Sequence, residues 1–131
     1  MTALRRGEIY LVEFDPARGH EIQKTRPAII IQNDIGNKHS PNTIVAAISS
    51  KLSPMPYPVE VLVEPTKANG LTAVSAIKLS QIRSVDRQRL VKRVGLVDAA
   101  TMRKADEALK ISLGLVDFYQ IRPGFNLAVL I

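Results

Sequence analysis

Apolar residues in this chain come in short, β-rich runs up to residue 97, and only beyond Asp98 do they take a helical period. Gly7 to Phe14 sets Ile9, Leu11 and Glu13 on one side and Tyr10, Val12 and Phe14 on the other. Both sides are largely apolar, which predicts a buried strand. Ala28 to Gln32, Thr43 to Ile48 and Leu90 to Val94 read as further strands. So does Val59 to Val63, with Val59, Val61 and Val63 facing in and Glu60 facing out. Ala73 to Leu79 and Gln81 to Val85 read as one strand with a break. Asp15 to His20 is turn-like, and Glu21 to Thr25 is a polar loop. Asn33 to Asn42 is rich in Asn, Gly, Ser and Pro and is expected to be a loop. Ser50 to Pro58 carries three prolines and is another. Pro27 stands at a strand start, where a missing N–H does least harm.

After Asp98, a candidate N-cap, the residues Met102, Ala105, Leu109, Leu113 and Val116 recur at spacings of 3, 4, 4 and 3. That spacing makes one apolar helical face, opposite Arg103, Lys104, Glu107 and Lys110. Many short strands without helical crossovers, followed by one helix, predict a mainly β fold: a small antiparallel barrel with a C-terminal α-helix. At 131 residues the chain is expected to form one domain. No apolar run approaches the roughly 20 residues that span a bilayer, and the basic N-terminus runs into Gly7-Glu8, unlike a signal peptide.

The formal charge is +6, and it is unevenly placed. Residues 1–65 hold 7 basic and 7 acidic side chains, whereas residues 66–131 hold 11 and 5. The densest stretch carries Lys78, Arg83, Arg87, Arg89, Lys92 and Arg93 against Asp86 alone. Such a cluster fits a polyanion-binding face as well as it fits a solvated one. Aromatic residues make up 5% and Trp is absent, which argues against a base-stacking sheet.

There is no cysteine, which excludes a disulfide framework, a thiolate metal site and a Cys nucleophile, and fits a cytoplasmic setting. His20 and His39 cannot form an HExxH zinc site, and no Walker loop, GxGxxG or GxSxG is present. No metal and no cofactor are therefore expected. His20, Glu21, Lys24 and Arg26 fall within seven residues and could supply an acid, a base and charge stabilisation. A surface loop with ordinary ion pairs explains the same residues. Arg26 is stiffened by Pro27, and its planar fork can bond two phosphate oxygens at once. Ser49 and Ser50 end a strand, where a hydroxyl can bond a phosphate or the nearby backbone.

Taken in order, the motifs resemble one family. Arg6-Gly7-Glu8-Ile9-Tyr10-Leu11-Val12-Glu13-Phe14-Asp15-Pro16, then Gly19-His20-Glu21 and Thr25-Arg26-Pro27, look like the opening of the MazF/PemK toxins. The likeness continues through Ile31-Gln32-Asn33-Asp34-Ile35-Gly36-Asn37, Ser40-Pro41 and Ile44-Val45-Ala46-Ala47-Ile48. It resumes at Gln81-Ile82-Arg83-Ser84-Val85-Asp86 and over residues 105–115. A toxin domain over residues 1–116 and a separate tail over 117–131 are expected.

The resemblance implies an SH3-like barrel working as a homodimer, cutting single-stranded mRNA at short sequences without a metal. In such enzymes the 2′-hydroxyl attacks the adjacent phosphorus, leaving a 2′,3′-cyclic phosphate and a 5′-hydroxyl, and an antitoxin protein blocks the RNA groove. By the same resemblance Arg26 stabilises the phosphorane, Glu21 and His20 are the candidate bases, and Ser49 stands where close relatives carry threonine. Lys24, Thr25, Ser50, Lys78 and Gln81 are expected to contact RNA. Two departures stand out: Ser80 replaces a residue that is often acidic, and Ile22-Gln23-Lys24 replaces a common Gln-Gly-Gly. The alternatives are a gyrase-inhibiting toxin of the CcdB type, which shares the fold, and a weakened relative that only binds RNA or an antitoxin.

Overall fold

The structure, a computed structural model, describes residues 3–14, 24–54 and 58–117. Six strands form one antiparallel sheet: β1 (Glu8–Glu13), β2 (Thr25–Ile30), β3 (Asn42–Ser49), β4 (Glu60–Val63), β5 (Ser75–Asp86) and β6 (Leu90–Leu96). Their order is β4-β5-β3-β2-β1-β6. A short helix α1 (Asp34–His39) joins β2 to β3, a 3-10 turn (Arg87–Arg89) joins β5 to β6, and α2 (Ala99–Ser112) closes the described chain.

Both faces of the sheet are covered. Ile9, Ile29, Ile31, Ala46, Ile48, Ile77 and Leu79 pack on one face with Val61, Val63 and Val97, under Ala105 and Ala108 of α2. Val12, Phe14, Ala28, Ile30, Val45 and Val85 pack on the other with Leu4. This accounts for the apolar runs without clean alternation, since a strand covered on both sides has no polar face.

The expected barrel is not closed by a strand ladder among the described residues; β4 and β6 remain edges. The turn after β4 bridges them instead, and Leu96 N–H donates to the Ala68 carbonyl at 2.9 Å. Gly70 takes φ +70 there, and a Cβ on it would meet the Val94 carbonyl oxygen at 2.2 Å. Only glycine fits both the conformation and the contact.

Three other expectations change. Residues 34–39, expected as loop, form α1: the Asn33 side chain caps it by accepting from Gly36 N–H at 2.8 Å. The break in β5 is a bulge in a continuous strand: Ala46 pairs with Ile82 but Ala47 with Lys78, so Leu79, Ser80 and Gln81 fall outside the β3 register. The Asp98 cap holds, with its side chain accepting from Thr101 N–H at 2.7 Å. However, α2 stops at Ser112, whose hydroxyl donates to the Leu79 carbonyl, and the chain turns at Gly114 with φ +71. Leu113 and Val116 are thus past the helix, and Leu113 is exposed. Among the described residues, no helix is long and apolar enough to cross a membrane.

Candidate active site

Strand register decides which of the expected residues meet. Arg26 pairs with Val12 of β1, and Ala28 pairs with Ala47 of β3. Pro27 offers no N–H, and the β2–β3 ladder begins only at Ala28. Carried two residues further, that register sets Arg26 opposite Ser49, on the face shared with Ala28 and Ala47. The Arg26 side chain is exposed. Lys24, one residue before β2, takes φ 63, a left-handed conformation uncommon for lysine. Its carbonyl accepts from Phe14 N–H at 2.9 Å, which ties the start of β2 to the residue after β1.

Ser49 pairs with Ala76, and its hydroxyl accepts from Lys51 N–H at 3.1 Å. That is the local backbone bond a strand-end serine is expected to make. It uses an acceptor lone pair and leaves the O–H hydrogen for a ligand oxygen. Lys78 pairs with Ala47 on one side and Glu60 on the other, so it shares the Arg26–Ser49 face. Its Nζ lies 3.7 Å from Glu60 Oε1. Glu60, expected to face solvent, is instead covered by Ser53, whose hydroxyl donates to both carboxylate oxygens at 3.1 and 3.4 Å.

Arg26, Ser49 and Lys78 are therefore brought to one face. Ser50 is exposed just beyond it, and Gln81 lies in the β5 bulge. Thr25 is not brought in: it pairs with Glu13 and points to the opposite face, by the alternation that aims Arg26 at this one. His20 and Glu21 lie outside the described residues.

The basic stretch of β5 and β6 is mostly engaged within the fold. Arg83 donates to the Phe14 carbonyl at 3.1 Å, with its guanidinium 5.8 Å from the Phe14 ring centroid. Arg89 donates to the Glu13 carbonyl at 3.1 Å, and Arg87 to the Asn37 carbonyl. Arg93 pairs with Glu8 at 2.6 Å, and the same carboxylate accepts from Arg5 N–H. Burial pushes the neighbouring Tyr10 phenol above its ordinary range, with Glu8 adding to the effect and Arg93 and Arg87 opposing it. The bonds of Arg83 and Arg87 go to carbonyls and not to carboxylates, so those bonds do not neutralise their charge.

Glu60 and Ser53 were not singled out from the sequence as site residues. Glu60 sits in a strand that alternates correctly, and only the β4–β5 register reveals that it faces Lys78.

Comparison with known proteins decides the family. The profile of the PemK-like, MazF-like toxins of type II toxin–antitoxin systems matches residues 5–113. The chain belongs to this family. It is 43% identical over 115 residues to "Endoribonuclease EndoA" of Bacillus subtilis (strain 168), spanning 88% of this chain and 98% of that protein. Its fold is similar to the crystal structure of MazF (Form-I) from Deinococcus radiodurans, with a TM-score of 0.74 at 23% identity over 87% of this chain and 99% of that one. It is also similar to a mycobacterial endoribonuclease in complex with its cognate antitoxin, with a TM-score of 0.71 at 23% identity over 88% and 99% of the two chains.

Proposed function

We propose that this protein is the endoribonuclease toxin of a type II toxin–antitoxin pair, cutting single-stranded mRNA at a short sequence. The observation that carries the reading is the exposed Arg26, which by continuation of the β2–β3 register falls opposite Ser49 on the face that also holds Lys78. Its support from outside the chain is membership in the toxin family and the 43% identity to an endoribonuclease.

The reaction needs no metal. The RNA 2′-oxygen forms a bond to the adjacent phosphorus, the bond from phosphorus to the 5′-oxygen breaks, and a 2′,3′-cyclic phosphate and a 5′-hydroxyl result. A base takes the 2′-hydroxyl proton, and a proton is given to the departing 5′-oxygen. Arg26 bonds the non-bridging oxygens as charge builds on the phosphorane. The Ser49 hydroxyl donates to the same phosphate. His20 or Glu21 is assigned as the base, and Lys24, Ser50, Lys78 and Gln81 to holding the strand. Residues 1–116 make up the nuclease domain, with residues 117–131 a tail outside it. The working form is a cytoplasmic homodimer, and an acidic antitoxin segment covers the RNA-binding face.

The test is incubation of the purified protein with a long single-stranded RNA in EDTA, followed by mapping of the ends. Discrete cuts with 5′-hydroxyl ends, lost in Arg26→Ala, are expected. Absence of discrete cuts, or equal cutting by Arg26→Ala, would overturn the reading.

A further inference from the structure

We propose that Glu60 is a positioning residue for RNA cleavage: it holds the Lys78 ammonium over the Arg26–Ser49 face as the site's second cation. This rests on the endoribonuclease reading. The strands set out the geometry. Glu60, Lys78, Ala47 and Ala28 form one transverse row across β4, β5, β3 and β2. The next row on the same face holds Ala76, Ser49 and, by continuation of the register, Arg26. Lys78 is thus the diagonal neighbour of Ser49, at a spacing of roughly 7–8 Å that a lysine side chain readily crosses. The two alanines of the row, Ala47 and Ala28, are buried, so the polar groups this end of the sheet offers a phosphodiester are Lys78, Ser49 and the exposed Arg26.

Glu60 is the more covered member of the pair, with side chains 17% exposed for Lys78 and 7% for Glu60. A pair this covered adds little net stability, because loss of hydration offsets the attraction. What it does is fix where a flexible ammonium sits. Ser53 adds a second link: its hydroxyl bonds both Glu60 oxygens, so one carboxylate joins the segment leaving Ser49 to the lysine of β5. Lys78 and Ser53 are then set in place together before RNA arrives.

Opposite kinetic signatures follow for the two partners. Lys78→Met removes the cation altogether, so kcat falls by about tenfold, KM rises by about tenfold and the salt slope of binding falls by about 0.7. Glu60→Gln leaves the ammonium uncompensated but loosely held. RNA then binds more tightly, with lower KM and a steeper salt slope, while kcat falls by about tenfold. In a Lys78→Met background, Glu60→Gln produces no further loss of kcat.

The experiment measures kcat and KM for a single-stranded RNA with one cut site, from low to high salt, for the wild type, Glu60→Gln, Lys78→Met and the double variant, with melting curves for each. Should Lys78→Met fail to fold, Lys78→Arg replaces it and is expected to retain the salt slope. Wild-type kcat and KM in Glu60→Gln, or additive losses in the double variant, would overturn the proposal. So would a fall in melting temperature with unchanged salt slopes, the signature of a structural pair. Failure of the wild type to cut, or cutting by Arg26→Ala, strikes the nuclease reading instead.

Discussion

Gly95 of β6 lies against Ala68 of the turn after β4, so close that a Cβ on Gly95 would come within 2.4 Å of the Ala68 carbonyl oxygen. The obstacles are backbone atoms of residues 68 and 69, which cannot rotate away as a side chain could. This contact replaces the missing ladder between the two edges of the sheet. Gly95→Ala is expected to cost about 1–3 kcal/mol, as overpacking does. Urea unfolding would measure it, and an unchanged midpoint would show that the two edges do not depend on each other.

The Ser49 hydroxyl is argued to serve through its hydrogen and not its bulk. Ser49→Thr should then retain activity, and the added methyl restricts the rotamer further. Ser49→Ala should lower kcat by about 10²-fold, on the scale of one lost donor to a transition-state oxygen. Little stability is at stake, since among the described residues the bond lost is the exposed one from Lys51 N–H. Cleavage of a single-site RNA by the two variants decides the matter; equal activity would remove Ser49 from the site.

The positive charge of the second half divides into structural and exposed members. Arg87 donates to the Asn37 carbonyl, on the residue that anchors α1, so Arg87→Gln should lower stability by about 1 kcal/mol. The loss is modest because Arg87 Nε is itself buried without a hydrogen-bond partner among the described residues. Lys92 is exposed on β6, and Lys92→Gln should leave stability within about 0.5 kcal/mol. It should reduce the salt slope of RNA binding by about 0.7 without moving the cut positions. Melting curves and salt titrations separate the two roles, and a stable Arg87→Gln would undo the assignment.

The strands and α2 were legible because their signals are local: β-branched runs, proline punctuation and the Asp98 cap. Helix α1 was not, because Asn33-Asp34-Ile35-Gly36-Asn37 carries turn-forming residues with poor helical propensity. Its stability is tertiary. Asn37 is fully buried, bonds the Gln32 carbonyl and Asp34 through its amide nitrogen, and accepts from Thr43 Oγ1 and Gln32 Nε2. The same limit applies to the site. Arg26 and Ser49 were readable as residues of the right chemistry at strand ends. That Lys78 lies diagonal to Ser49 depends on a bulge that places Lys78, and not Gln81, opposite Ala47. That Thr25 faces away from Arg26 has a simpler cause: adjacent residues of a strand face opposite ways.

Asp34 links the N-terminal arm to α1, accepting from Arg6 N–H at 2.7 Å and from the Asn37 amide. The Arg6 bond, helped by Asn37, holds its carboxyl below the ordinary range; hydrogen bonds from Thr101 do the same for Asp98 at the start of α2. A carboxyl depressed in the folded state binds protons more readily once unfolded. Its contribution is therefore complete above the unfolded value of about 3.9 and is lost as pH falls through the lower folded value. Stability should thus decline below about pH 4 with a component from each of these residues. In Asp34→Asn the decline should be shallower, with the main loss already present at neutral pH. Both groups are exposed, so each effect is small and salt-sensitive. Melting temperature followed from pH 6 down to pH 2 for the wild type and Asp34→Asn would test this, and parallel curves would show that Asp34 has no part in the acid response.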